Sequence, residues 1–307
     1  MKSLNLLALS GLFLPFFSLT VHAGEPVPGD STHHAKPGVR LQDGLLVYFP
    51  FNGNCKDASG HHNDGYLVDG GSMTYDEHGS PASAFGGNGY GGRVLVSNNG
   101  TMNFDSAFSV SFVGSLKRFA RQDFVSMVEN TTGMAVTFGL GTNIPGSTVL
   151  VFGIANDKAP CDNLPAKDQM ANIISDFVPQ PGCWYEITCT FNRGVLKMYV
   201  NGRLIEMKRS NIRCVHVCPN AQLVVGGWWE KDPSASLPGM LDEFRLYNRE
   251  LNEAEVAELS KTFMGSTLPL RGDQQGNEHV EYVAPRVQQE LEDTKIGTIP
   301  QAGVKAN

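Results

Sequence analysis

Apolar and polar positions along the central part of the chain follow a period of two and break every ten residues or so. Leu45 to Phe51 is a near-continuous apolar run rich in Val, Tyr and Phe, the pattern of a strand buried on both faces. From Ser106 to Val113, small residues at 107, 109 and 111 interleave with Phe108, Val110 and Phe112. Short strands are predicted over Phe124 to Val128, Ala135 to Phe138 and Val149 to Ile154, separated by Gly, Asn and Thr. Tyr185 to Phe191 and Val195 to Val200 flank Asn192-Arg193-Gly194, a hairpin signal. Asn201-Gly202 then suits a two-residue turn with positive φ at both positions, leading into Arg203 to Met207. Leu223 to Val225 and Leu241 to Tyr247 complete the set. Many short strands with frequent turns predict a sandwich or barrel. One helix is predicted near the end, over Glu253 to Lys261. Asn252 is placed to cap it, Glu255 to close a capping box, and Leu251 and Val256 to staple it. Val256, Leu259 and Phe263 give it one apolar face.

The flanks have a different texture. Lys2 and the apolar run Leu4 to Val21, followed by Val21-His22-Ala23, read as a secretory signal peptide over residues 1–23, cut after Ala23. Residues 24–42, rich in Pro and Gly, read as a flexible leader, and the polar stretch 264–307 as a disordered tail. One domain remains, residues 43–263. No other segment has the length and apolarity to span a bilayer, so no membrane span is expected after cleavage. Cleavage removes one lysine and no acid, taking the 24 basic and 31 acidic residues to 23 and 31, a formal charge of −8. That mild acidity argues against nucleic acid or anionic membrane as main partners, which need a basic face. Six cysteines, Cys55, Cys161, Cys183, Cys189, Cys214 and Cys218, form an even set in an exported chain and are disulfide candidates. Their connectivity is not readable from the sequence.

Four stretches carry a family likeness. They are LLVYFPFNGNCKDASGHHNDG (45–65), SAFGGNGY (83–90), CWYEITCTFNRGVLKMYVNGRL (183–204) and GMLDEFRLYNRELNEAEVAEL (239–259). In this order the chain resembles the laminin G-like jelly-roll domains of the concanavalin A-like superfamily. The resemblance implies an all-β fold, a jelly-roll sandwich of two antiparallel sheets with one short C-terminal helix. It also implies one structural calcium where the first and last strands meet. Asp242 matches the family's carboxylate ligand, and Asn52 and Asp57 in the opening loop are further oxygen donors. Calcium takes six to eight oxygens, so carbonyls and waters would complete the shell. Cys189 falls where the family has a small core residue, implying a buried thiol.

Other chemistry is read from the residues themselves. Trp228 and Trp229 follow Gly226-Gly227 and precede a polar loop, Lys231 to Ser234. An indole face exposed beside polar loops is a platform for a sugar ring, and Tyr90 on a Gly-rich loop is a third candidate. Trp184 is assigned to the core. Cys214, His216 and Cys218 would share one face of a strand and present two thiolates and an imidazole to zinc or copper. No fourth ligand is nearby and an oxidising compartment favours disulfides, with Cys161 and Cys183 as possible partners. Glycosidases on this fold need paired carboxylates on one strand. None is present: Glu129 and Glu186 stand alone, and Asp242 and Glu243 alternate across a strand. Arg271-Gly272-Asp273 is a potential integrin tripeptide, and Asn99 and Asn130 begin glycosylation sequons that matter only in a eukaryotic secretory host.

The expected function is therefore that of an exported, non-catalytic binding protein, secreted, periplasmic or on the cell surface. Its expected ligand is carbohydrate, met by rim loops of the sandwich. Two alternatives are an adhesive or structural surface protein that binds another protein, and a glycoside hydrolase whose acids are not recognisable in sequence.

Overall fold

The computed structural model describes residues 38–120, 122–142 and 149–263. The signal peptide, most of the leader, the tail and the Arg271-Gly272-Asp273 tripeptide lie outside the described residues. Fifteen strands and one α-helix are described: β1 (Leu45–Phe49), β2 (Tyr66–Val68), β3 (Ser72–Thr74), β4 (Ala84–Gly86), β5 (Arg93–Ser97), β6 (Ala107–Leu116), β7 (Asp123–Glu129), β8 (Val136–Gly141), β9 (Val151–Ala155), β10 (Met170–Ile174), β11 (Trp184–Asn192), β12 (Val195–Val200), β13 (Arg203–Arg209), β14 (Ala221–Val225), β15 (Gly239–Tyr247) and α1 (Glu253–Phe263).

The strands form two antiparallel sheets. One runs β13-β12-β11-β6-β15-β4-β3, with β1 also on β15; the other runs β10-β9-β8-β7-β14-β5-β2. The sandwich expected from the resemblance is thus the observed fold. Its core is where the inner faces interdigitate. Phe108 of the first sheet lies 5.1 Å (ring centroids) from Phe138 of the second and 5.8 Å from Phe191 beside it. All three are fully buried, and each such ring contributes about 1.5–3 kcal/mol by leaving water. Asn201 (φ 49°) and Gly202 (φ 74°) adopt the two positive-φ turn positions that Asn-Gly favours, joining β12 to β13.

The helix forms as its caps require. The Asn252 side chain accepts from Ala254 N and Glu255 N, and Glu255 Oε2 accepts from Asn252 N at 2.9 Å. Arg249 grips the same carboxylate with both Nη atoms. Leu251, Val256 and Leu259 pack with Leu45, Tyr199 and Tyr247 in a second, smaller cluster.

Two strand edges matter for the sites. One edge of β15 is shared end to end. Met240 and Leu241 pair with β4, whereas Phe244 to Tyr247 pair with β1. A bulge between Asp242 and Arg245, with Glu243 at φ 53°, marks the changeover. It breaks the simple alternation expected of Asp242 and Glu243. On the second sheet, one register row runs Leu95–Val224–Ser126–Gly139–Gly153–Asn172. Its neighbours in sequence, among them Val125, Val225, Phe138 and Phe152, are core residues. The row therefore faces away from the core.

Candidate functional site

The segment after β14 builds the site. It runs back over the outer face of the second sheet and is held there by two side chains. Ser126 Oγ donates to the carbonyls of Gly227 and Trp228. Arg93, 1 % exposed, donates from Nη2 to the Glu230 carbonyl and to Asp69 Oδ2, 3.1 Å away. Burial lowers the Arg93 pKa, and Asp69 opposes that shift.

Both tryptophans are consequently half-buried, where a freely exposed one was expected. Trp229 lies flat on Gly133: a Cβ there would sit 2.2 Å from the indole, and φ is +67°. Its Nε1 donates to Asn130 O at 3.2 Å, and Lys231 Nζ stands 5.6 Å over the ring. Trp228 stands over Gly139, and beyond it Gly153 leaves the sheet surface as bare backbone, with nothing closer than 3.9 Å to a notional Cβ. An indole beside a strip of exposed peptide planes is a flat apolar-and-polar surface.

Next to Trp229 the rim holds a pocket of about 380 Å³. Ser97 and Asn98 close β5, Asn130 and Thr131 follow β7, and Asn220 and Gln222 belong to the entry into β14. Lys231 is its single charged residue. The lining consists mainly of amides and hydroxyls, which both donate and accept hydrogen bonds. Trp229 is not in the lining; it fixes the Asn130 turn and carries Lys231. Tyr90 is 80 % exposed on the loop between β4 and β5. No contact among the described residues joins it to either indole.

The acidic residues gather elsewhere, at the junction of β1, β4 and β15. Asp242 is 6 % exposed. Burial, and then the charges of Glu243, Glu77 and Asp76, push its carboxyl up to about 8. Glu77 is raised by burial in the same way, and its Oε2 is buried with no hydrogen-bond partner. Glu243 accepts from Tyr48 Oη and pairs with Arg245. Asn52 precedes Gly53, whose N–H donates to Ala82 O at 2.7 Å, at the base of the loop that carries Asp76 and Glu77. Asp57 is engaged differently. Oδ1 accepts from Tyr48 N and Ser59 N, and Oδ2 from Ser59 Oγ and Asn63 N. It orders the opening loop. Asp76 and Glu77, which the sequence reading missed, lie near enough to act on Asp242 through their charge; with no motif of their own, they are recognisable only once β3 and β4 place their loop.

The cysteines form one disulfide among the described residues, Cys161–Cys218, across 57 residues. Cys55, Cys183, Cys189 and Cys214 are free thiols, so of the six candidates Cys161 and Cys218 are the two that are joined. Cys55 and Cys189 are each sunk in the core among apolar side chains, and burial raises both thiol pKa values, that of Cys55 to about 11. Cys189 is the buried thiol that the resemblance implies. Trp184 is half-buried at the start of β11, not in the core. His216 Nδ1 lies 3.8 Å from Cys161 Sγ. Glu186 is fully buried on β11, and Glu129, at the end of β7, accepts from Thr131 N and Thr132 N of its own turn.

Two packed antiparallel sheets with a polar rim pocket and a half-buried indole pair define a jelly-roll module. The chain matches the family model of the concanavalin A-like lectin/glucanases superfamily over residues 86–257, and belongs to that superfamily. Solved structures agree on the fold. The binding domain of Paraclostridial Mosquitocidal Protein 1 is 20 % identical, with TM-score 0.55 over 73 % of this chain and 53 % of that one. Domain 4 of AbnA, a GH43 extracellular arabinanase from Geobacillus stearothermophilus in complex with arabinotriose, is 18 % identical, with TM-score 0.53 over 70 % of this chain and 98 % of that one. The binding domain of Botulinum Neurotoxin DC in complex with SialylT is 16 % identical, with TM-score 0.53 over 73 % of this chain and 52 % of that one. This chain thus spans about half of each toxin binding domain and nearly all of the arabinanase domain. No described helix is long and apolar enough to cross a membrane.

Proposed function

We propose that this chain is an exported, non-catalytic protein that binds carbohydrate at the rim of its sandwich. The observation that carries this reading is the pocket of about 380 Å³, lined by amides and hydroxyls and flanked by the Lys231–Trp229 stack. Sugar hydroxyls need alternating donors and acceptors plus a flat apolar surface, and both are adjacent here. The bare backbone at Gly153 extends the surface past Trp228, which covers Gly139. Structural matches that bind arabinotriose or SialylT support the reading, as does a disulfide, which persists outside the cytoplasm.

The test is a glycan array with the purified chain, followed by titration of the strongest ligand against Lys231→Ala, Trp228→Ala and Trp229→Ala. The Lys231 change is expected to weaken binding about tenfold, in line with the roughly 1.4 kcal/mol of one lost charged contact, and the Trp229 change to weaken it by a similar factor through its hold on the Asn130 turn and on Lys231. An array with no hits, or a ligand bound equally by all three variants, overturns the proposal.

We further propose that calcium binds at the β1–β4–β15 junction, held by Asp242, Asp76 and Glu77 with Asn52. A hard cation suits this all-oxygen set, and it would meet the orphaned Glu77 Oε2 and offset the crowding of buried acids. Its role would be to pin the first and last strands. A chelator is then expected to lower Tm, and an unchanged Tm rejects the site.

A further inference from the structure

We infer that Cys161, His216 and Cys218 form a redox-gated zinc site, closed while the disulfide stands and opened by a dithiol reductant. The three side chains come from two distant segments, yet their ligand atoms all lie within 4.8 Å of one another. In a tetrahedral site, Zn–S of about 2.3 Å and Zn–N of about 2.0–2.1 Å set S···N near 3.6 Å and S···S near 3.8 Å. The Cys161 Sγ to His216 Nδ1 distance is already 3.8 Å. The Cα atoms of the two cysteines are 5.7 Å apart, so χ1 rotation can open the sulfurs without moving the backbone.

The scaffold stays in place when the crosslink opens. Thr137 Oγ1 donates to His216 O, Val215 N to Asp105 O, and Asp157 N to Cys214 O, all within 3.0 Å. His216 is exposed and Cys161 half-buried, which gives a metal ion and a reductant a way in, and Cys218 is buried behind them. The fourth zinc position faces solvent and takes water, making this a three-ligand open site.

The chemistry balances with a dithiol as the electron source. The reductant's two sulfurs join, two electrons break the Cys161–Cys218 bond, and the two protons pass to the new thiols. Zn²⁺ then displaces both thiol protons and takes the Nδ1 lone pair of neutral His216. Two thiolates cancel the ionic charge, so the bound site is neutral. A small-molecule disulfide reverses this by thiol–disulfide exchange: one zinc-bound thiolate attacks it, the other displaces the mixed disulfide to re-form Cys161–Cys218, the two electrons leave on the two released thiols, and the ion, stripped of its thiolates, is expelled. The same pair of cysteines therefore exchanges a covalent clip for a metal clip as the surroundings change from oxidising to reducing.

The experiment uses the full chain, oxidised and after reduction with a dithiol that is then removed without air. Zinc stoichiometry is read by competition with a chromogenic chelator, and Co²⁺ substitution by its thiolate charge-transfer and tetrahedral d–d bands. Expected are no zinc on the oxidised chain, one equivalent on the reduced chain, and release of that equivalent on reoxidation. His216→Ala should weaken reduced-state binding at least tenfold, and Cys161→Ser should abolish the charge-transfer signal. A Cys183→Ser/Cys214→Ser variant, lacking the two accessible free thiols, should bind as the parent does. Zinc on the oxidised chain, full-strength binding by His216→Ala, or loss of binding in the Cys183/Cys214 variant each overturns the inference. So does a reduced chain that loses its far-UV β spectrum and does not regain it with zinc.

Discussion

Glu186 is a buried acid whose charge works against the fold at high pH. It sits on β11, away from solvent, beneath the Asn201–Gly202 turn. It accepts from Thr188 Oγ1 at 2.5 Å, Ser111 Oγ at 3.1 Å and Gly202 N at 3.2 Å. Burial outweighs these three donors and raises its pKa from 4.5 to about 7. A raised folded-state pKa means that the native chain holds its proton more tightly than the unfolded chain. The stabilisation is complete below pH 4.5 and disappears as pH climbs through 7. At 1.36 kcal/mol per pKa unit, the whole effect is roughly 3 kcal/mol, of which about 2.5 kcal/mol falls between pH 5 and pH 8. Glu186→Gln keeps the shape and an acceptor oxygen but cannot ionise. Urea unfolding of parent and variant at pH 5, 6, 7 and 8 isolates the group, because all other titrations are common to both chains. The stability difference should move by about 2.5 kcal/mol in favour of the variant from pH 5 to pH 8. Two parallel pH profiles would refute the reasoning, since they would mean that Glu186 titrates normally in the folded state.

Arg93→Met removes the donors that fasten the 226–238 segment. It should cost about 2–3 kcal/mol, the worth of a charged hydrogen bond to a buried carbonyl, and shift tryptophan emission as Trp228 and Trp229 loosen; an unchanged spectrum and Tm contradict that anchoring role. Replacing Cys161 and Cys218 together with alanine frees a 57-residue loop, with an entropic cost of about 4 kcal/mol. A loss under about 1 kcal/mol in urea melts would show that the crosslink does not restrain the unfolded chain in this way. Gly153→Val places a β-branched side chain on the bare strip and should leave Tm within about 1 kcal/mol equivalent while reducing glycan affinity if the ligand extends past Trp228; unaltered affinity confines the ligand to the rim pocket.

The strands that sequence patterning found are those with long alternation or strong turns. β11, β12 and β13 were delimited by Asn-Arg-Gly and Asn-Gly, and β6 by its small–large alternation. Strands β2 and β3 have three residues each, too few to show a period. β5 reads as Arg-Val-Leu-Val-Ser, an apolar core of three residues, and it is buried on both faces because the tryptophan segment covers the side away from the core. The tryptophan region was visible because Gly-Gly-Trp-Trp is conspicuous. The pocket beside it was not. Its residues come from 97–98, 130–131 and 219–222, and only the pairing of β5, β14 and β7 makes them neighbours. Asp242 could be placed from the family likeness, whereas Asp76 and Glu77 come near it only through the pairing of β3 with β4 and of β4 with β15. Disulfide pairing was closed to sequence reading for a similar reason: two candidate thiols turned out to be core residues, a property of packing and not of spacing.

The pairing of β1 with β15 also governs how this module responds to load. Gly44 enters and Asn248 leaves at the same point, joined by one hydrogen bond from Asn248 N to Gly44 O. Tension between those two points meets the β1–β15 ladder one rung at a time, as in peeling, instead of shearing all rungs together. The first strand would then come away at low force, uncovering the β15 edge beside Glu243 while β15 itself stays on β6. A cation holding that edge would act as a mechanical latch.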